Sequence, residues 1–148
     1  MGEIIFTNRT SRVTYEGELR NVLRELSQTQ YLRNAYLPEE IMPDADLHEA
    51  KLPFVNFSHS DLHGTNFKGA VLRYANFRGC NLKGCNFDGA DLVGAVFNDR
   101  DDLKLTAIQG ATFKGAYMKD VRGIDIPADA FDADAPKDEH MPSVHHWK

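Results

Sequence analysis

Cys80, Cys85 and a histidine group at His140, His145 and His146 beside Trp147 are the side chains of this 148-residue chain best suited to chemistry. A closed zinc site takes four ligands at short spacings, usually with paired cysteines. The histidine group has no cysteine near it and fits no such spacing, so no metal and no cofactor are expected. The two cysteines stand five residues apart, where a recurring pattern calls for a small residue. Free cysteine behaves as a small hydrophobe, so both read as buried, reduced thiols. Acyl transfer would need a Ser-His-Asp or Cys-His set, and phosphate chemistry a glycine-rich loop. Neither is present in the sequence, and the chain reads as a protein that is not an enzyme.

The pattern that places Cys80 and Cys85 fills the stretch from Ala45 to Asp99. Large apolar residues recur every five positions at Leu47, Leu52, Phe57, Leu62, Phe67, Leu72, Phe77, Leu82, Phe87, Leu92 and Phe97. Two positions before each is a small residue, one before is mostly Asn or Asp, and two after is often Gly. On an α-helix five residues advance about 500°, so successive apolar residues would be offset by about 140°. On a straight strand an odd spacing alternates faces. All of them point inward only if the chain bends once per unit, which Gly, Asn and Asp permit. Each unit is then one side of a stacked coil.

The run Ala75-Asn76-Phe77-Arg78-Gly79, Cys80-Asn81-Leu82-Lys83-Gly84, Cys85-Asn86-Phe87-Asp88-Gly89, Ala90-Asp91-Leu92-Val93-Gly94 resembles the pentapeptide repeat family. The resemblance implies an all-β solenoid: a right-handed quadrilateral β-helix with four units per coil. Ala35-Tyr36-Leu37 extends the pattern upstream. Downstream, Leu103 follows Phe97 by six residues, and Ile108, Phe113 and Met118 continue from it. One extra residue in 98–102 accounts for the break as a bulge. The array then holds about seventeen units in a little over four coils, a rod roughly 20 Å long at about 4.8 Å per coil. Stacking every fourth unit gives the expected columns. One wall holds Leu37, Phe57, Phe77 and Phe97, and the wall opposite holds Leu47, Phe67, Phe87 and Ile108. The other two hold Met42, Leu62, Leu82 and Leu103, and Leu52, Leu72, Leu92 and Phe113.

The chain divides into three parts on this reading. Residues 1–34 form a β-hairpin, with Ile5, Thr7, Val13 and Tyr15 half-buried around a turn at Asn8–Ser11, and an amphipathic helix carrying Leu19, Val22, Leu23 and Leu26. Such a segment suits the open end of a solenoid, whose core needs covering. Residues 35–122 are the repeat. Residues 123–148 are an acidic tail in which Ile124, Ile126 and Phe131 fold over the other end, with the remainder disordered. The small bacterial and phage members of the family are the nearest in form.

Function then falls to departures from the pattern. Phe54 and Tyr74 occupy the corner position where later units use Gly, twenty residues apart, and so stack on adjacent coils. Val71 and Val93 lie outward on the same wall and extend an apolar patch, covered either by a partner or by the hairpin. The net charge of −5 is concentrated in residues 124–148, which carry two Lys and six acids. Residues 35–123 carry ten basic and twelve acidic side chains. A solenoid so nearly neutral is not expected to bind nucleic acid directly. Neither a membrane nor a small-molecule substrate is expected, and cytoplasmic residence follows from the lack of an apolar span or leader. The leading expectation is a rigid scaffold for a protein partner, with room for a homodimer. The alternative implied by the resemblance is DNA mimicry, in which family members bind type II topoisomerases such as DNA gyrase.

Overall fold

Parallel single-residue bridges join the chain to itself at intervals of twenty residues along four separate lines. They run Tyr36–Asn56–Asn76–Val96, Ile41–Asp61–Asn81, Asp46–Asn66–Asn86 and Lys51–Val71–Asp91. Four units of five residues therefore complete one turn, and each line is a wall. The computed structural model describes residues 2–6, 12–29, 31–98 and 106–136. Thr7, the turn at Asn8–Ser11, Leu103, His140, His145, His146 and Trp147 lie outside the described residues.

Each position of the five-residue unit has its own task. The central Leu or Phe points inward, and Leu47, Leu52, Phe57, Leu62, Phe67, Leu72, Phe77, Leu82, Phe87, Leu92 and Phe97 have no exposed surface. The Asn or Asp before it accepts a hydrogen bond from the backbone N–H two residues on, as Asn76 does from Arg78 at 3.0 Å and Asn86 from Asp88 at 2.8 Å. That local bond holds the bend. At the corner the chain takes positive φ, and Cys80 N–H closes the turn onto Phe77 C=O at 3.1 Å, the geometry for which a type II turn favours glycine. The small position also supplies donors to the preceding coil. Ser60 Oγ donates to Leu37 C=O, Thr65 Oγ1 to Met42 C=O, Cys80 Sγ to Phe57 C=O and Cys85 Sγ to Leu62 C=O.

Both cysteines are buried thiols outside any disulfide. Burial pushes Cys85 up to about 12, so at pH 8 it stays protonated and unreactive, since the thiolate is the nucleophile. Ellman's reagent is expected to leave Cys85 unlabelled in the native protein and to count two thiols after denaturation. Rapid native labelling of Cys85 would contradict its place in the core.

Phe fills two opposite walls and Leu the other two across Phe57–Phe97. Along one wall Phe77 stacks on Phe97 with ring centroids 5.3 Å apart, and along the other Phe67 stacks on Phe87 at 5.1 Å. Across the interior the two stacks meet edge to face, as Phe77 and Phe87 do at 5.7 Å and 78°. Offset and edge-on contacts are the favoured aromatic arrangements.

Beyond Phe97 the expected columns need correcting. Asn81 bridges Ala107, Asn86 bridges Thr112 and Asp91 bridges Tyr117, an interval of twenty-six. The insertion is six residues, not one. Ile108 therefore stacks below Leu82, not below Phe87. Phe113 stacks below Phe87, with centroids 5.1 Å apart and planes within 8°, not below Leu92, and Met118 takes that place. The site assigned to Leu103 in the Leu62–Leu82 column belongs to Ile108. Thr106 sets this register by taking the small position below Cys80. Its Oγ1 donates to Phe77 C=O at 2.8 Å and also contacts Phe97 C=O, while its N–H donates to Asn98 Oδ1.

Ahead of the coil, β1 (Gly2–Phe6) pairs antiparallel with β2 (Arg12–Tyr15) and, on its other side, with β3 (Ala35–Tyr36). The hairpin thus continues the wall that holds Phe57. Ile4 and Phe6 point inward with Val13 and Tyr15 beside them, whereas Ile5, expected inside, is 42% exposed. The strand's inward face falls on its even-numbered residues, because period two admits only one of the two choices. The helix α1 (Leu19–Thr29) lies along the first turn of the coil and buries Leu23 completely. Arg20 donates to Pro43 C=O, Arg24 pairs with Asp46 at 3.5 Å, and Ser27 C=O accepts from Lys51 N–H. The Arg20–Arg24 side thus touches the coil edge, although Arg24 stays half exposed to solvent.

At the other end Ile124 and Ile126 pack against the core. Phe131 adds a bridge below Tyr117, with Phe131 N–H donating to Ala116 C=O and Met118 N–H to Phe131 C=O. Its ring is 50% exposed and lies beside Tyr117 with centroids 5.4 Å apart. Phe131 thus covers the end with its backbone and not with its side chain.

Candidate interaction surface

Phe54 and Tyr74 sit at successive levels of one corner, at φ of 59° and 58°. Left-handed backbone disfavours residues with a Cβ, most of all bulky ones. Among the described corners from Gly64 to Gly115, Tyr74 is the single residue that is not glycine. The two rings stack, with centroids 5.0 Å apart and planes 17° apart. The Tyr74 ring then lies over Gly94 at the next level, where a Cβ would come within 2.4 Å of it. Glycine at position 94 is what lets the tyrosine lie flat against the coil. Tyr74 remains 41% exposed, and Phe54 is half-buried.

The two valines divide. Val71 is half-buried beside a shallow groove that it lines with Gln28, Glu49, Lys51 and Gly69. Val93 is only 3% exposed and cannot belong to an open patch. Arg73, one level before it, reaches down to Asp91 at 2.9 Å and also bonds Asp134 of the tail. Arg73 and Asp91 have side chains 13% and 8% exposed. Burial pushes the Asp91 carboxyl up, against the pull of the arginine. Burial pulls Arg73 down, but the bonds and charges of Asp91 and Asp134 hold it above its ordinary value.

Other polar groups form doublets. Asp46 meets His48 Nδ1 at 2.6 Å and Asp61 meets His63 Nδ1 at 2.7 Å, on neighbouring walls. The hydrogen bond from His48, with Arg24 nearby, holds Asp46 below the usual carboxylate range. Among the described residues no three or more His, Cys, Asp or Glu side chains gather where they could hold a metal ion. Lys114 joins the wall of Lys68 and Asp88 and donates its N–H to Asp88 Oδ1, because the six-residue insertion sets its column.

The family model for pentapeptide repeats, in eight copies, matches residues 31–64 and 60–99. Residues 31–99 are an array of pentapeptide repeats. Pentapeptide repeat proteins fold as right-handed quadrilateral β-helices, which agrees with four walls and a twenty-residue turn. Similar solved structures include a pentapeptide repeat protein from the thylakoid lumen of Arabidopsis thaliana, 22% identical over 69% of this chain and 74% of that one, with a TM-score of 0.41. Another is the pentapeptide repeat protein Rfr23 from the cyanobacterium Cyanothece 51142, 17% identical over 80% of this chain and 76% of that one, with a TM-score of 0.36. No curated protein sequence matches the chain.

Within this pentapeptide coil the sequence pattern locates Phe54 and Tyr74 but misses Arg73, Asp91 and Asp134. Arg73 and Asp91 are diagonal neighbours once units twenty apart are stacked, so their pairing was available from the repeat. Asp134 carries no repeat signal. No described helix is long and apolar enough to cross a membrane.

Proposed function

We propose that this pentapeptide repeat protein is a non-enzymatic scaffold whose Phe54–Tyr74 corner binds a protein partner. The observation that supports this is a stacked aromatic pair at two left-handed corners, where the other corners of the coil carry glycine or the polar residues Glu39, Asp44, Glu49, His59 and Asp120. Backbone strain of this kind persists where surrounding structure holds it and concentrates at functional sites. The hairpin and α1 serve as the cap of the first end, with Ile4, Phe6 and Leu23 filling the opening. The cytoplasm is the proposed setting, and self-association would be one form of the same protein contact. DNA mimicry is not carried forward, since the wall bearing Lys68, Asp88 and Lys114 mixes signs.

Replacing Phe54 and Tyr74 together by glycine keeps the corner geometry and removes the rings. Affinity capture from the native host, read by mass spectrometry, is expected to lose its specific partner with this variant. Undiminished capture would move the binding site elsewhere.

A further inference from the structure

The wall that holds Phe57 ends in a strand with an open edge. Its strands run in the order β2-β1-β3, and β3 is bridged onward to Asn56. Among the described residues β2 has a strand neighbour on one side alone. The helix α1 bonds to the coil at Pro43, His48 and Lys51, which belong to the other three walls. An open edge presents a row of unpaired backbone N–H and C=O groups and is a template for another strand. Along β2 and its next residue the sides alternate. Val13 and Tyr15 face inward and are half-buried, while Arg12, Thr14 and Glu16 are exposed.

We propose that β2 pairs antiparallel with β2 of a second copy about a two-fold axis at Thr14, joining two coils end to end through one continuous wall. In this register Thr14 meets Thr14 of the second copy, Val13 meets its Tyr15 and Arg12 meets its Glu16. Symmetry makes the last two pairs occur twice. Thr–Thr pairs, aromatic–β-branched pairs and opposite charges all stabilise when they stand directly opposite on adjacent strands. A strand with Arg at one end and Glu at the other is complementary to itself when antiparallel, and that complementarity selects a second copy as the occupant. The register is also singled out. Inward residues meet inward residues only if the strands slide by two at a time. Sliding toward the hairpin turn sets Arg12 against Thr14 and breaks the charge pair. Sliding the other way sets Val13 against Gly17, where φ is 85° and the chain leaves the strand for α1. A short strand pair is far smaller than a standard interface of about 20–30 residues a side, so the dimer dissociates on dilution.

This contact is separate from the Phe54–Tyr74 corner, and the two proposals fail separately. Sedimentation velocity over a concentration series is expected to show a reversible monomer–dimer equilibrium, unchanged in the Phe54→Gly/Tyr74→Gly protein. Arg12→Glu sets like charges opposite each other twice and is expected to weaken the dimer roughly tenfold or more. Its bond to Glu3, 3.4 Å long, lies on the exposed surface, so the fold loses little with it. Glu16→Arg should weaken the dimer in the same way. Mixing the two variants sets Glu opposite Arg at both ends and should restore association as a heterodimer, a rescue that a misfolded variant would not give. A wild type that is monomeric at every concentration overturns the proposal. So does a dimer that both charge reversals leave unchanged, or a mixture that does not associate. Loss of the dimer in the corner variant would place the contact at the corner and overturn it as well.

Discussion

Phe77→Ala is expected to lower the free energy of unfolding by about 3–5 kcal/mol, the range for truncating a core phenylalanine. Phe77 touches four rings, with centroids at 6.1 Å to Phe57, 6.0 Å to Phe67, 5.7 Å to Phe87 and 5.3 Å to Phe97. Its level of the coil is bonded to both neighbours, Asn76 N–H to Val55 C=O and Phe77 N–H to Val96 C=O. Walls fixed in this way cannot close on the void, which pushes the cost toward the upper part of the range. Domains of this size are stable by about 5–15 kcal/mol, so the variant should sit near the edge of folding. Urea denaturation measures the difference. A loss below about 1 kcal/mol, the scale of an ordinary point substitution, would refute the position of Phe77 at the centre of the stack.

The second large effect is expected at Arg73. Its partner Asp91 is nearly buried and already pushed up by burial with the arginine present. Arg73→Ala leaves that carboxylate without its principal counter-charge, a change that typically costs about 3–5 kcal/mol. The sign of the pH dependence follows from the same burial. A carboxyl whose folded pKa lies above its unfolded one favours folding when protonated, so the deficit of Arg73→Ala is greatest well above that pKa. It shrinks as pH falls through it. Adding Asp91→Asn should recover most of the loss at neutral pH. Asparagine is the common residue at this repeat position, and its amide oxygen can still accept the Val93 N–H that Asp91 accepts at 3.2 Å. A double variant no more stable than Arg73→Ala would show that the arginine acts by packing alone.

The walls, the inward residues and the corner at Phe54 and Tyr74 were legible because one local rule repeats at every unit. The length of the insertion was not. A periodicity of five fixes an insertion only up to multiples of five, so one residue and six residues leave the same downstream pattern. The register is decided by Thr106, whose hydroxyl continues the ladder of side-chain donors from Ser60 and Cys80. The hairpin's inward face was equally ambiguous, because Ile4 and Ile5 are adjacent and of one type. Val93 was misplaced for a different reason. It lies on the wall where Arg73 bonds Asp134, sixty-one residues away, and no periodic signal links those two.

The claim that the aromatic corner exists for contact and not for the fold is tested most directly by equilibrium unfolding of the Phe54→Gly/Tyr74→Gly protein. Relief of left-handed strain returns about 1–2 kcal/mol per residue. Against it stand about 0.5–1 kcal/mol per glycine in unfolded-chain entropy and about 0.5–1.5 kcal/mol for the lost stack. The double variant is expected to keep a stability within about 2 kcal/mol of the wild type, alongside lost partner capture. A loss of about 3–5 kcal/mol, the scale of a core phenylalanine, would make the pair a structural element and not a contact site.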